Sequence, residues 1–468
     1  MDGPLNTSLL PRGMVGSIIV VMLFAVAHSQ EPSLPSGLGS ASGSGGASET
    51  PTLPSGLGGE AVEGDESEAG DPVLPAGLAG SGEDAGEREQ KRAVRLMAPG
   101  LLRGMNLHGF IEGRVGQRVT SDPYQDELAV AEARLQLEVE RAFGPVFSRL
   151  AGDFLYDHEY NHLEVDIEEG QGWFDLREAH VTFTPVPWAD VKIGRQVLTW
   201  GTGDLVFIND LFPKDWQSFF IGRDDEYLKA PSNALKIALF PPGLPSVDIV
   251  YSPRFDSDRF VDGSRLSFWN PLQQQRTGQE NIIDVDKPDQ WIEDAETALR
   301  LYQNVGGTEL AVYAYHGFWK SPAGLQPAAA EFTFPELAVY GGSARGTLAS
   351  GVAYAELGYY DSLDDREGDD FTVANSEIRL LLGYEKEIMR NLTATLQYYV
   401  KHMWEYGEYA RSLPPTSPSE PEIRHTFTLR LRQELLQETL TLSLFSRAST
   451  TNDDIYLRPK VHYKLTDY

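Results

Sequence analysis

The chain has 468 residues, no cysteine, 45 Gly, 20 Tyr, 21 Phe and a formal net charge of −30. That charge argues against nucleic acid as a partner, since phosphate contacts need clustered Lys and Arg. The lack of thiols fits a chain that crosses an oxidising compartment unfolded. No stretch after residue 30 approaches the ~20 apolar residues that a membrane helix requires.

In chain order, residues 1–29 carry Arg12, then the apolar run Met14 to Ala27, then small residues at Ala25-Val26-Ala27 and Ala27-His28-Ser29. This is the pattern of a cleaved secretory signal peptide, with an apolar run too short to span comfortably. Residues 30–100 hold 12 acids and 4 bases among Gly, Ser, Pro and Ala. Such a segment buries too little apolar surface to offset its ordering entropy and is expected to be disordered. A phrase recurs in it at Leu34-Pro35-Ser36-Gly37-Leu38, Leu53-Pro54-Ser55-Gly56-Leu57 and Leu74-Pro75-Ala76-Gly77-Leu78. Tethered copies suit either a multivalent ligand for a periplasmic protein or a duplicated spacer.

From Met105 the pattern is strict alternation, which puts neighbouring side chains on opposite faces of a strand. Leu135, Leu137 and Val139 alternate with Arg134, Gln136, Glu138 and Glu140; Phe427, Leu429 and Leu431 alternate with Thr428, Arg430 and Arg432. Strands are predicted near 105–120, 127–143, 146–157, 174–185, 188–200, 232–241, 246–255 and 292–303. They continue near 307–318, 336–346, 348–360, 373–386, 391–404, 423–435, 437–448 and 455–466. Short turns such as Phe143-Gly144-Pro145 and Pro185-Val186-Pro187 alternate with long loops at 158–173, 201–231, 256–291, 319–335 and 405–422. That asymmetry predicts an all-β fold over 101–468, a transmembrane antiparallel barrel of about 16 strands, with turns at the periplasmic rim and every backbone group paired. Tyr468 is out of phase with Tyr463 and Leu465, which leaves 18 strands open if the chain is truncated.

The stretch Val191 to Trp216 contains Gly194-Arg195-Gln196, Trp200-Gly201, Asp204, Asp210 and Pro213-Lys214-Asp215, and the first strand opens Leu107-His108-Gly109-Phe110. In these phrases the chain resembles porin-like outer-membrane proteins of Gram-negative bacteria. The resemblance implies an outer-membrane channel for passive diffusion of small polar solutes, in contact with lipid and open to homo-oligomer formation, with a periplasmic N-terminal segment. No Gly-x-Ser-x-Gly elbow appears and the nine histidines are scattered without pairing, so no enzyme activity and no cofactor are expected. Two other functions stay open: a barrel transporter of hydrophobic compounds, and a non-conducting surface or scaffold barrel tied to periplasmic partners by its repeats.

His158-Glu159-Tyr160-Asn161-His162 spells a zincin motif, but it follows a strand, and the motif places its histidines on one face only in a helix. No zinc site is expected. Cation capture by Asp157, His158, His162 and Glu164 ranks below a solvated loop, and Asn391-Leu392-Thr393 is a chance sequon at a turn.

Three expectations concern the pore. Barrel closure gathers His108, Arg114, Arg118, Arg430, Arg432, Arg447, Arg458, Lys460 and Lys464 on one basic arc of the lumen. The loop 201–231 folds inward as a constriction, carrying Asp204, Asp210, Asp215, Asp224, Asp225 and Glu226, with Leu211, Phe212, Phe219 and Phe220 to pack it. Arg195 falls in phase with Val191 and Ile193, a costly place on a lipid face. A β-bulge near Gly194-Arg195-Gln196 is therefore expected to turn it inward, toward Asp204 or Asp210.

Overall fold

The computed structural model describes residues 19–24, 105–158, 164–415 and 417–464. Sixteen strands run in sequence order: β1 Met105–Arg118, β2 Leu128–Phe143, β3 Val146–Asp157, β4 Phe174–Val186, β5 Ala189–Val197, β6 Pro231–Leu239, β7 Ser246–Ser252 and β8 Glu296–Val305. Then come β9 Thr308–Phe318, β10 Glu336–Leu348, β11 Gly351–Ser362, β12 Glu377–Met389, β13 Leu392–Met403, β14 Ile423–Leu435, β15 Leu440–Ser449 and β16 Asp454–Tyr463. Each pairs antiparallel with its sequence neighbours in one sheet. All sixteen predicted strands are present. The fifth and seventh end earlier than expected, because Trp200 turns to pack on Phe212 and Tyr313, and Phe255 on Phe318 and Phe334, rather than continue the ladder.

Alternation separates two faces. Outward positions such as Ile111, Leu135, Ile193, Leu299, Val312, Leu357, Leu396 and Val461 are exposed and apolar. Inward positions such as Glu132, Arg134, Asp153, Arg300, Glu356 and Gln397 are buried and polar. This is the reverse of a soluble sandwich and suits a sheet with lipid outside and a polar interior.

The sheet must curl. Strands β2 and β14 are twelve strand spacings apart, ~58 Å if the sheet were flat. Yet Arg223 pairs with Glu132 of β2, and Asp225, two residues on and at most ~7 Å away along the chain, pairs with Arg430 of β14. One loop tip reaches both strands only if the sheet wraps around it as a barrel. Asp224 pairs with Lys460 of β16 and lies in the field of Arg114 of β1.

Tight turns close one rim, with Gly144, Gly306 and Gly307 at positive φ, and Asn391 (φ 59°) at the sequon. The described residues of 119–127, 164–173, 198–230, 253–295, 319–335, 363–376, 404–415 and 417–422 loop at the other rim. Residues Ile19–Phe24 of the leader pair antiparallel with the free side of β1, Ile19 opposite Arg118 and Phe24 opposite Gly113. The edge of β1 offers unpaired backbone groups there. The remainder of the leader, the acidic segment 30–100 with its three repeats, residues 159–163 of the histidine motif and residues 465–468 lie outside the described residues.

Candidate pore constriction

Past Val197 the chain leaves β5 and enters the barrel. Gly201 takes φ +85° and sits so close to Glu356 of β11 that a Cβ would lie 3.0 Å from its Oε1. Glu356 is 2% exposed and anchors the first arm of the loop. It accepts from the Thr202 backbone N–H and Oγ1 (2.9 Å for the latter), Gly203 N (2.9 Å), Asn209 N (3.3 Å) and Asn209 Nδ2 (3.0 Å). Tyr360 donates its hydroxyl to Ile208 O. Trp200, Ile208 and Phe212 pack on Tyr313, Tyr315, Trp319 and Tyr360, filling that side of the lumen with an apolar cluster.

The middle of the loop is locked to its neighbours. Asp210 pairs with Lys214 at 2.9 Å and accepts from Thr199 Oγ1 at 2.7 Å. Asp215 caps the short helix α1, Trp216–Phe220, by accepting from Ser218 N at 2.7 Å. Arg259 joins Asp215 (3.2 Å) to Asp175 of β4, which it grips with two bonds of 2.9 and 2.8 Å. Asp258 accepts from Lys214 N, Trp216 Nε1 and Ser321 Oγ, tying three loops together; burial, its largest influence, pushes its carboxyl up despite these donors. Asp210 and Asp215 were expected to face the pore. They serve as internal ties instead, because buried carboxylates need partners and the nearest donors are in the loops.

The tip does face the basic arc. On the lumen side, Thr428, Arg447 and Tyr456 form one cross-strand rung, Arg430, Phe445 and Arg458 the next, and Arg432, Ser443 and Lys460 the third. Asp225 bridges Arg430 (3.0 Å) and Arg458 (2.8 Å), Asp204 pairs with Arg430 at 2.9 Å, and Asp224 pairs with Lys460. Phe219 packs on Phe445 and Tyr456 beneath the Arg458 guanidinium. Burial would raise the Asp224 carboxyl, but Lys460, Arg114 and Arg458 together hold it below its ordinary value.

The other predicted wall residues divide. His108 and Arg114 lie on the inner face of β1, with Arg114 held by Glu112 at 2.6 Å. Arg118 is buried and bonds to Gln125 and the carbonyls of Asp126 and Arg265, so it braces loops rather than lining the pore. Arg432 pairs with Glu434 at 3.0 Å, and Arg447 is exposed. Lys464 is a correction: it lies beyond β16, exposed, with its backbone N–H on Thr439 O, so it is not in the wall. Asp157 pairs with Arg265. Sequence reasoning missed Glu356, Arg223 and Tyr227, whose ring lies 4.0 Å from the Arg134 guanidinium. Their partners are remote in sequence, and no local pattern marks them.

Arg195 also corrects expectation. Strand β5 keeps unbroken register with β6, from Ala189 opposite Leu239 to Val197 opposite Pro231, so it holds no bulge. The irregularity lies one strand away, where Arg177 of β4 is the extra residue opposite Ala151 and Gly152. Arg195 is nevertheless only 3% exposed, against 50% for Ile193 in the same phase. It stands near the loop end of β5, after Gly194 at φ +124°, and donates Nε to Leu176 O at 2.6 Å and Nη2 to Ile167 O. Its place is solved by the backbone carbonyls of Leu176 in β4 and Ile167 in the preceding loop, not by Asp204 or Asp210.

Asp204 carries a pH dependence. Burial raises its carboxyl pKa to about 6; Arg430 opposes the rise, while Asp225, which shares that guanidinium, and Glu385 add to it. The folded protein therefore binds this proton more readily than the unfolded chain. The contribution to stability is present at low pH and lost as pH rises through about 6. Neutralising Asp204 also removes a negative charge beside the wall. Permeability to anions relative to cations should increase as pH falls from 7 to 5, and Asp204→Asn should abolish that step in reversal-potential measurements.

No family model and no curated protein matches this chain. Among solved structures it is similar to OmpF of Salmonella typhi in complex with daunomycin, at 9% identity, 77% of this chain, 97% of that one and TM-score 0.42. It is similar to OprB of Pseudomonas putida at 12% identity, 77% and 94% coverage and TM-score 0.41. The outer-membrane channel DcaP of Acinetobacter baumannii stands at 14% identity, 76% and 94% coverage and TM-score 0.39.

Proposed function

We propose that this chain is an outer-membrane channel of the porin type, passing small polar solutes through a charged lumen narrowed by residues 198–230. The observation that carries the reading is the acidic tip Asp204, Asp224 and Asp225 set against Arg430, Arg458 and Lys460 inside a barrel whose outer face is apolar. Clustered charged side chains at a narrowing sort ions and orient polar solutes. A carrier of hydrophobic compounds would need an apolar path, and here the apolar cluster is filled by the loop's own side chains. On this reading the leader is removed on export, and the acidic segment 30–100 stands in the periplasm as a tether or docking element. Full-length protein, purified and inserted in planar lipid bilayers, should give discrete ohmic conductance steps in KCl. A folded barrel that inserts without conducting would overturn the reading and favour a scaffold role.

A further inference from the structure

Not every cation of the wall has an acid among the described residues. Arg430, Arg458, Lys460 and Arg432 each hold a carboxylate. Arg447, on the same face, is exposed and has no carboxylate partner among the described residues. It stands two residues nearer the loop rim than Phe445, ~7 Å outward of the Arg430–Asp225–Arg458 ion pairs.

Beside it is an aromatic shelf. Tyr456 is directly opposite Arg447 on the neighbouring strand, with ring centroids 5.7 Å from Phe220 and 5.8 Å from Phe219. Phe219 is buried, but Tyr456 and Phe220 are only half-buried.

A guanidinium without a carboxylate, next to half-buried aromatic rings, suits an anion carried on a flat apolar body. The carboxylate accepts two parallel N–H bonds from the arginine fork, and the attached ring packs against Tyr456 and Phe220. An aliphatic anion of the same charge gains only the first contact. A neutral aromatic gains only the second. We propose that Arg447, Tyr456 and Phe220 form a binding subsite for aromatic carboxylates at the loop-side entrance to the constriction. As a step in permeation the subsite rests on the channel reading; as a binding site it does not.

The test uses the full chain in detergent micelles, titrated with benzoate and, separately, acetate by calorimetry, and the same protein in bilayers. Benzoate should bind saturably and, added on the loop side, interrupt the KCl current; acetate should do neither at equal concentration. Loss of one charge-assisted pair should weaken benzoate about tenfold in Arg447→Gln. Arg447→Lys, which keeps charge without the planar fork, should fall between the two, and Tyr456→Leu should lose the preference for benzoate over acetate. Equal responses to benzoate and acetate, or full benzoate affinity in Arg447→Gln, would overturn the subsite. A barrel that binds benzoate but conducts no KCl would uphold the subsite and defeat the channel reading alone.

Discussion

Excising residues 204–226 from the inward loop, with a short Gly-Ser bridge in their place, should raise single-channel conductance several-fold. The segment carries Ile208, Phe212 and Phe219, which occupy the cross-section, and Arg223, Asp224 and Asp225, which span from β2 to β16. Its removal leaves every ladder pairing of the sixteen strands intact, and in lipid those pairings hold the barrel together. Thr202 and Gly203 keep their bonds to Glu356, so the stump stays against the wall. The excision also leaves Arg430, Arg458 and Lys460 without Asp204, Asp224 and Asp225, so conductance should rise together with anion preference. A deletion barrel that retains strand content by circular dichroism but shows unchanged conductance would mean the loop does not set the narrowest point.

The second large effect is the opposite charge change. Replacing Arg430, Arg432, Arg458 and Lys460 together by Gln should move the reversal potential under a salt gradient strongly toward cations. The wall loses four positive charges while the tip keeps Asp204, Asp224 and Asp225, which are then left without their cations. Gln retains a donor for each carboxylate, which limits the cost of leaving it unsatisfied, ~1–3 kcal/mol for each lost partner. Substituting Gln only at Arg447, which has no acid opposite, should shift the potential far less. An unchanged potential in the fourfold variant would show that these groups only keep the lumen wet.

The strands were legible because their signal is local. Leu135, Leu137 and Val139 against Arg134, Gln136 and Glu138 state both the strand and its two faces without reference to any other segment. The same period assigned Arg430, Arg458 and Lys460 to the inner face, and antiparallel register then aligned them in rungs. Arg195 shows where that logic stops. Its phase reads as outward, and the natural repair within one strand is a bulge; the folded chain instead covers the side chain with carbonyls of Leu176 and Ile167.

The path of the 198–230 loop was decided only by the tertiary structure. Glu356 meets Thr202 across 154 residues, Arg430 meets Asp225 across 205 and Arg458 meets Asp225 across 233. The sequence contained the acids and the aromatics of a constriction, but its charges alone do not say which acid meets which base. Asp204, Asp224 and Asp225 reach the wall, while Asp210 and Asp215 turn inward to Lys214, Ser218 and Arg259. Periodicity is set by each residue and its neighbours. Ion pairing inside a barrel depends on where curvature places strands that are far apart in the chain, and that exists only once the sheet has wrapped around its loop.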